Sequence, residues 1–109
     1  MKRGEIWTAG GGAGYTGKPR PVVVVQDDRF AATVSITVCP LTSNPTSAPL
    51  LRLEIEPSES NGLKKTSRLM IDKLTTTRRA NLDRRVGRLA HADVVRMDRA
   101  MLVFLGLAG

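Results

Sequence analysis

An arginine between two prolines, Pro19-Arg20-Pro21, stands directly before a run of four valines at residues 22–25. The β-branched run predicts a buried strand, and the proline after Arg20 restricts that arginine to extended backbone geometry where the strand begins. A guanidinium presents its donors in a planar fork that matches phosphate oxygens. The stretch therefore suggests a phosphate-binding arginine at a strand end. The alternative is a structural ion pair with an acid such as Asp27 or Glu5.

A second polar segment, PLTSN at residues 40–44, follows the next predicted strand. Thr42, Ser43 and Asn44 offer hydroxyl and amide groups at one edge of the sheet, although such residues are equally typical of turns that bond their own backbone. A loop at residues 10–18 holds five glycines in nine positions, so a ligand could approach its backbone closely. Proline follows Lys18, which excludes the G-x-x-x-x-G-K-[ST] spacing of a nucleotide-binding loop.

The charge balance favours a nucleic-acid partner. Seventeen Lys and Arg against ten Asp and Glu give a net charge of +7, and twelve of the cations are arginines. A basic, arginine-rich small domain is typical of nucleic-acid binding; the alternative is positive charge that serves only to keep the protein in solution. Aromatic residues make up only 4% of the chain, which argues against a broad base-stacking surface. A single Cys and a single His exclude an internal disulfide and a zinc site, so we expect a cytoplasmic protein without a metal or another cofactor.

The hydrophobic pattern predicts one domain, residues 1–109, built from short strands and a final helix. Strands are expected at 4–9, 21–26, 33–41, 50–56 and 85–89, with a strand pair or a bent strand at 68–78. From Ala92 onward the period becomes helical, and one face carries Val94, Met97, Met101, Phe104 and Leu105. His91 or Asp93 is expected to cap this helix. No apolar run reaches the roughly 18–20 residues that a membrane span needs. The broad apolar face of the helix suggests a homodimer.

Four ordered motifs then carry a family resemblance: RGEIW at 3–7, RPVVVV at 20–25, VCPLTSN at 38–44 and MIDKLTTTRR at 70–79. With the C-terminal helix they resemble the MazF/PemK family of toxin–antitoxin ribonucleases over essentially the whole chain. The resemblance implies a mainly β, SH3-like barrel of five to seven short strands with a C-terminal helix, which forms a homodimer. It also implies a sequence-specific endoribonuclease that cleaves single-stranded RNA without a metal and inhibits translation and growth, with mRNA, tRNA or rRNA as the target. A cognate antitoxin would neutralise it through an acidic C-terminal segment.

The same resemblance assigns roles to individual residues. It makes Arg20 the catalytic arginine, Thr42 the catalytic hydroxyl residue and Asp72 the acid that some members use. Some members also carry an arginine two residues before that acid, where this chain has Met70, so the role of Asp72 stays open. Contacts to the flanking RNA are expected from Lys18, Tyr15, Ser43, Asn44, Lys73, Thr76, Arg78 and Arg79, and from Lys64 and Lys65.

Metal-free RNA cleavage would use the substrate's own 2′-OH as the nucleophile, and DNA lacks that group. Arg20 would stabilise the charge that develops on phosphorus, while Thr42 would hydrogen-bond a phosphate oxygen or the 2′-OH. Two alternatives remain at this stage. One is a non-catalytic nucleic-acid-binding barrel, and the other is a toxin of the same fold that poisons DNA gyrase. Gyrase poisons of this kind end in Trp-Gly-Ile, whereas this chain ends in FLGLAG.

Overall fold

The computed structural model describes residues 1–10, 19–45 and 50–108. Within these ranges the chain forms seven strands followed by one α-helix. The strands are β1 (Glu5–Ala9), β2 (Arg20–Val24), β3 (Ser35–Thr42), β4 (Arg52–Ile55), β5 (Ser67–Met70), β6 (Thr75–Arg78) and β7 (Leu82–Arg88), and the helix is α1 (His91–Phe104). Short 3-10 turns occupy Asp28–Phe30, Ile71–Lys73 and Arg79–Asn81.

The strands form one antiparallel sheet in the order β4-β5-β3-β2-β1-β7, with β6 paired to β3. One edge of β3 pairs with β2. Its other edge pairs with β6 over residues 35–38 and with β5 at Leu41 and Thr42. Because β3 serves two partners along one edge, the sheet curves around it. The predicted architecture, mainly β with a C-terminal helix, is confirmed.

Strand alternation distributes the apolar side chains over two core clusters. Ile6, Val23 and Cys39 lie opposite one another across β1, β2 and β3, and all three are fully buried. Helix α1 closes this cluster with Met97, which is also fully buried. The alternate valines of β2, Val22 and Val24, belong to the second cluster. Burial raises the pKa of the Cys39 thiol to about 12, so this group behaves as a small core hydrophobe.

Most predicted elements are present, with shifted ends. Strand β2 begins at Arg20, one residue before the predicted start, and β3 extends to Thr42. The predicted 68–78 segment is a strand pair, β5 and β6, separated by the turn at Ile71–Lys73. The final strand begins at Leu82 rather than at residue 85.

One expectation about the helix needs correction. The N-cap of α1 is Ala90, which makes no side-chain hydrogen bond, so the prediction that His91 or Asp93 caps the helix was wrong. The predicted apolar face packs on the sheet only in part: Val94, Met97 and Met101 contact the core cluster, and Phe104 and Leu105 remain 44% and 54% exposed. Among the described residues, no helix has the length and apolar character that crossing a bilayer requires.

The segment between β4 and β5 is clamped against β7. Buried Asn61 organises it: its side-chain oxygen accepts from the N–H groups of Ser58 and Leu63, and its amide donates to the carbonyl of Glu56. The backbones approach so closely that a Cβ added at Gly87 would lie 2.4 Å from the Asn61 carbonyl oxygen. Glycine at position 87 is therefore required by contact between two backbones.

We expect Gly87→Ala to lower the free energy of unfolding by about 1–3 kcal/mol, because an added methyl group must push the two backbones apart. Urea denaturation with a fitted midpoint measures the change. Gly10→Ala is the matched control, since its Cβ would meet its nearest atom at 3.4 Å. Equal effects of the two substitutions would contradict the clamp.

Candidate active site

The start of β2 and the end of β3 border the same open groove, of about 360 Å³. We call it the β2–β3 groove. Its described lining residues are Thr8, Pro19, Arg20, Pro21, Leu41, Thr42, Ser43, Gly62, Leu63, Lys64, Lys65, Ser67, Arg84 and Val86. They come from five strands and the segments beside them, including the clamped segment before β5, so the site exists only in the folded barrel.

Strand register brings Arg20 and Thr42 together. Strand β2 pairs antiparallel with β3, with Val22 opposite Pro40 and Val23 opposite Cys39. Continuing that register by two residues places Arg20 alongside Thr42. On its other side β2 pairs with β1, with Arg20 opposite Ala9. The two residues that the resemblance makes catalytic therefore meet in one groove.

The Thr42 hydroxyl is oriented by its own turn. Its oxygen accepts a hydrogen bond from the backbone N–H of Asn44 at 3.1 Å. Because a hydroxyl carries one proton and two lone pairs, this bond leaves the proton available for a bound group. Thr42 can therefore bond the backbone of its own turn and still donate a hydrogen bond to a ligand in the groove.

The groove is strongly cationic. Among its described lining residues are four cations, Arg20, Lys64, Lys65 and Arg84, and neither a carboxylate nor an imidazole. The acids that could have neutralised Arg20 have other partners: Asp27 pairs with Arg29 at 3.1 Å, and Glu5 pairs with Arg85 at 3.0 Å. The structural ion pair considered for Arg20 therefore does not form with either acid.

The floor of the groove is apolar. Two residues at its rim were not predicted from the sequence. Leu41, Leu63 and Val86 supply the floor, which suits a sugar or the face of a base. Thr8 and Arg84 were not among the predicted site residues. No local motif marks them, because Thr8 reaches the groove through the pairing of β1 with β2, opposite Pro21, and Arg84 through the pairing of β7 with β1.

Asp72 lies apart from this groove. It is not among the described lining residues; its Oδ2 accepts from Nη2 of Arg52 at 3.0 Å. The second oxygen, Oδ1, is buried and has no hydrogen-bond partner within the described part of the chain. The structure thus separates Asp72 from Arg20 and Thr42.

The remaining predicted RNA contacts are spread along the barrel. Ser43 lines the groove and Asn44 adjoins it, whereas Lys73 and Thr76 are not among the described lining residues. Arg78 and Arg79 line a separate concavity of about 430 Å³. Tyr15 and Lys18 lie outside the described residues.

A third concavity connects these two sites. It is lined by Gly10, Pro19, Ala80, Asn81 and Asp83. It shares Pro19 with the β2–β3 groove and Ala80 with the concavity beside the two arginines. The three concavities thus adjoin one another through shared lining residues, and we call them together the surface path.

Solved structures identify the class of fold. The chain superposes with a TM-score of 0.82 on an endoribonuclease in complex with its cognate antitoxin from a Mycobacterial species, with 20% identity and coverage of 100% of this chain and 98% of the other. For the Mycobacterium tuberculosis toxin MazF-mt6 the TM-score is 0.80, with 21% identity and coverage of 96% and 99%. For MazE-MazF from Deinococcus radiodurans it is 0.78, with 14% identity and coverage of 99% and 98%. The barrel and helix are those of MazF toxins, as predicted.

Sequence comparison identifies the family. The model of the PemK-like, MazF-like toxins of type II toxin–antitoxin systems matches residues 2–105, and the chain belongs to this family. It is 61% identical over 109 residues, all of both chains, to the probable endoribonuclease MazF of Mycolicibacterium smegmatis. It is 28% identical over 116 residues to endoribonuclease MazF9 of Mycobacterium tuberculosis, with 98% of each chain covered. The predicted family and the predicted enzyme class, endoribonuclease, are confirmed, and neither alternative function is supported.

The ion pair that keeps Arg85 and Glu5 out of the groove predicts a pH effect. Burial raises the pKa of Glu5, but hydrogen bonds from Lys2 N–H, Trp7 Nε1 and Arg85, with the charge of Arg85, outweigh it and hold that pKa below its ordinary 4.5. The carboxylate should therefore stabilise the fold fully above pH 4.5 and lose its effect as the pH falls through the lowered pKa.

We accordingly expect Glu5→Gln to destabilise the protein near neutral pH, and expect the difference from the native chain to shrink in more acidic solution. Urea denaturation at a series of pH values measures it, with Glu59→Gln as an exposed control. A difference that does not change with pH would rule out this role of the Glu5 carboxylate.

Proposed function

We propose that this chain is a sequence-specific endoribonuclease that cleaves single-stranded RNA by attack of the substrate's 2′-OH, without a metal ion. The observation that carries the proposal is the meeting of Arg20 and Thr42 in a cationic groove. In this groove the described lining residues include no carboxylate that could hold a divalent cation, which prefers oxygen ligands.

The groove and its continuation suit a single strand of RNA. Cations in the groove and Arg78 and Arg79 at the far end of the path can bind successive phosphates. The apolar floor of the groove can take a sugar or a base. Few aromatic side chains are available, so base preference would come from shape and from hydrogen bonds to base edges rather than from stacking.

The reaction joins the 2′-oxygen to phosphorus and breaks the bond from phosphorus to the 5′-oxygen. The products are a 2′,3′-cyclic phosphate and a 5′-OH end. The 2′-OH loses a proton and the leaving oxygen gains one, so the reaction is balanced without an added reactant. Arg20 stays protonated and stabilises the charge on the pentacovalent phosphorus.

Thr42 would act by position. The hydroxyl does not lose its proton readily enough to serve as a general base. Its oriented proton can instead be donated to a phosphate oxygen. Holding the sugar and phosphate in line supplies the rest of the acceleration, because a fixed near-attack geometry removes much of the entropic cost of reaction.

We further propose that a cognate antitoxin blocks the groove with an acidic C-terminal segment, in keeping with the neighbour solved with its antitoxin. Its carboxylates would compete with phosphates for the same cations. The toxin would act in the cytoplasm on mRNA, with tRNA or rRNA as other candidate targets, and so inhibit translation and growth. An exposed apolar surface of Leu50, Val103 and Phe104 supports a homodimer.

The first test is cleavage of a long unstructured RNA in EDTA beside DNA of the same sequence. We expect RNA alone to be cut, at one short motif, with cyclic phosphate ends. Arg20→Ala should slow cleavage about 100- to 1,000-fold. Thr42→Ser should keep much of the activity that Thr42→Ala loses, because serine retains the hydroxyl.

Arg29→Ala is the charge-matched control, since Arg29 pairs with Asp27 outside the groove. RNA that is bound tightly by the native protein but never cut would support the non-catalytic barrel. Cleavage that Arg20→Ala leaves unchanged would refute the assigned site.

Asp72 provides a separate test, because we propose that it supports the barrel rather than the chemistry. Asp72→Asn weakens the half-buried pair with Arg52 and should cost about 1–3 kcal/mol of folding free energy. Cleavage by the folded variant should stay within a few-fold of native. If the folded Asp72→Asn protein cleaves RNA 100-fold more slowly, Asp72 takes part in catalysis and the structural role is refuted.

A further inference from the structure

Strand β7 carries two more residues than β1 along their shared ladder. Ile6 lies opposite Gly87 and Ala9 opposite Leu82, so three steps along β1 correspond to five along β7. The extra residues enter at two register shifts, one on each side of the Trp7–Arg85 pair. Such bulges redirect side chains and are common beside active sites.

The consequence is a change of face for Arg84. A regular ladder continued from Ile6 and Gly87 would set Arg84 opposite Ala9, whose side chain belongs to the second core cluster. Instead, the backbone N–H of Arg84 donates to the Thr8 hydroxyl at 3.1 Å, and Arg84 lines the groove together with Thr8 and Val86. The shift between Ile6 and Trp7 thus sets Arg84 beside Thr8 at the β2–β3 groove.

Arg84 also differs from Arg85, the next residue, in whether a carboxylate pairs with it. Arg85 is held by Glu5 at 3.0 Å. Arg84 is exposed and takes part in no ion pair within the part of the chain that the structure describes. Its guanidinium is accordingly available to an anion in the groove.

Arg20 and Arg84 flank the same strand. Arg20 lies opposite Ala9 on one side of β1, and Arg84 bonds to Thr8 on the other. Neighbouring strands lie about 4.7–4.9 Å apart, so β2 and β7 are separated by roughly 10 Å across β1. Because both arginines line the same groove, their long side chains can reach one phosphate bound in it.

The chemistry calls for a second cation of this kind. A phosphorane intermediate carries charge on two non-bridging oxygens, and the leaving oxygen gains charge as its bond to phosphorus breaks. With neither imidazole nor carboxylate among the described lining residues, fixed positive donors must carry much of the stabilisation. Lys64 and Lys65 lie outside the strands, whereas Arg84 belongs to a strand and is the better preorganised donor.

We propose that Arg84 is a second catalytic arginine, which donates hydrogen bonds to the scissile phosphate opposite Arg20 and transfers no proton. This inference rests on the proposed ribonuclease function. It predicts an effect on the chemical step that exceeds the loss of one positive charge.

The test separates the rate of chemistry from binding. Single-turnover cleavage at saturating enzyme gives the rate, and affinity for the same oligonucleotide with a 2′-deoxy sugar at the cleavage site gives binding. We expect Arg84→Ala to lower the single-turnover rate about 100-fold and to weaken binding only a few-fold. Arg84→Lys should recover part of the rate, since it restores the charge without the fork of donors.

Arg85→Ala is the matched control: it removes the same charge from the adjacent residue and should leave the single-turnover rate within a few-fold of native. Thermal unfolding checks each variant, and Arg84→Lys and Arg84→Gln carry the test if Arg84→Ala does not fold. An Arg84→Ala rate equal to that of Arg85→Ala would overturn the inference, as would weakened binding with an unchanged rate. If the native protein cuts no RNA, the proposed function itself fails; native cleavage that survives in Arg84→Ala refutes only the second arginine.

Discussion

The pairing register of β2 with β3 is the constraint on which the active site depends. Val23 lies opposite Cys39, and both side chains are fully buried, so a slip of one residue would expose an entire row of core residues. Because the strands are antiparallel, the residue where β2 begins must lie beside the residue where β3 ends. The packing of the core thereby places Arg20 next to Thr42, although neither residue belongs to the core.

The distribution of ion pairs explains why the β2–β3 groove is positive. Six arginines pair with carboxylates in the described part of the chain: Arg3, Arg29, Arg52, Arg68, Arg85 and Arg96. None of these six is among the described residues that line the groove. Acids thus neutralise arginines elsewhere on the barrel and leave Arg20 and Arg84 available to a phosphate.

Local patterns were sufficient for most of the fold. The hydrophobic pattern records directly which side chains are buried relative to their neighbours. This information predicted the strand of the valine run, the strand at 50–56 and the helix after residue 90. The predicted helix cap was wrong because the cap depends on where the helix meets the sheet. A helical apolar stripe indicates which residues share a face, but not how far along the helix its packing partner extends.

The sequence by itself determined the family, the strand-end arginine and the hydroxyl of Thr42, because each belongs to a contiguous motif whose backbone geometry is local. Only the tertiary structure decided that Asp72 pairs with Arg52 away from the groove and that Arg84 enters it. The physical reason is register: an added residue in a strand moves each later side chain to the opposite face, and the position of a bulge follows from the partner strand and the packing around it.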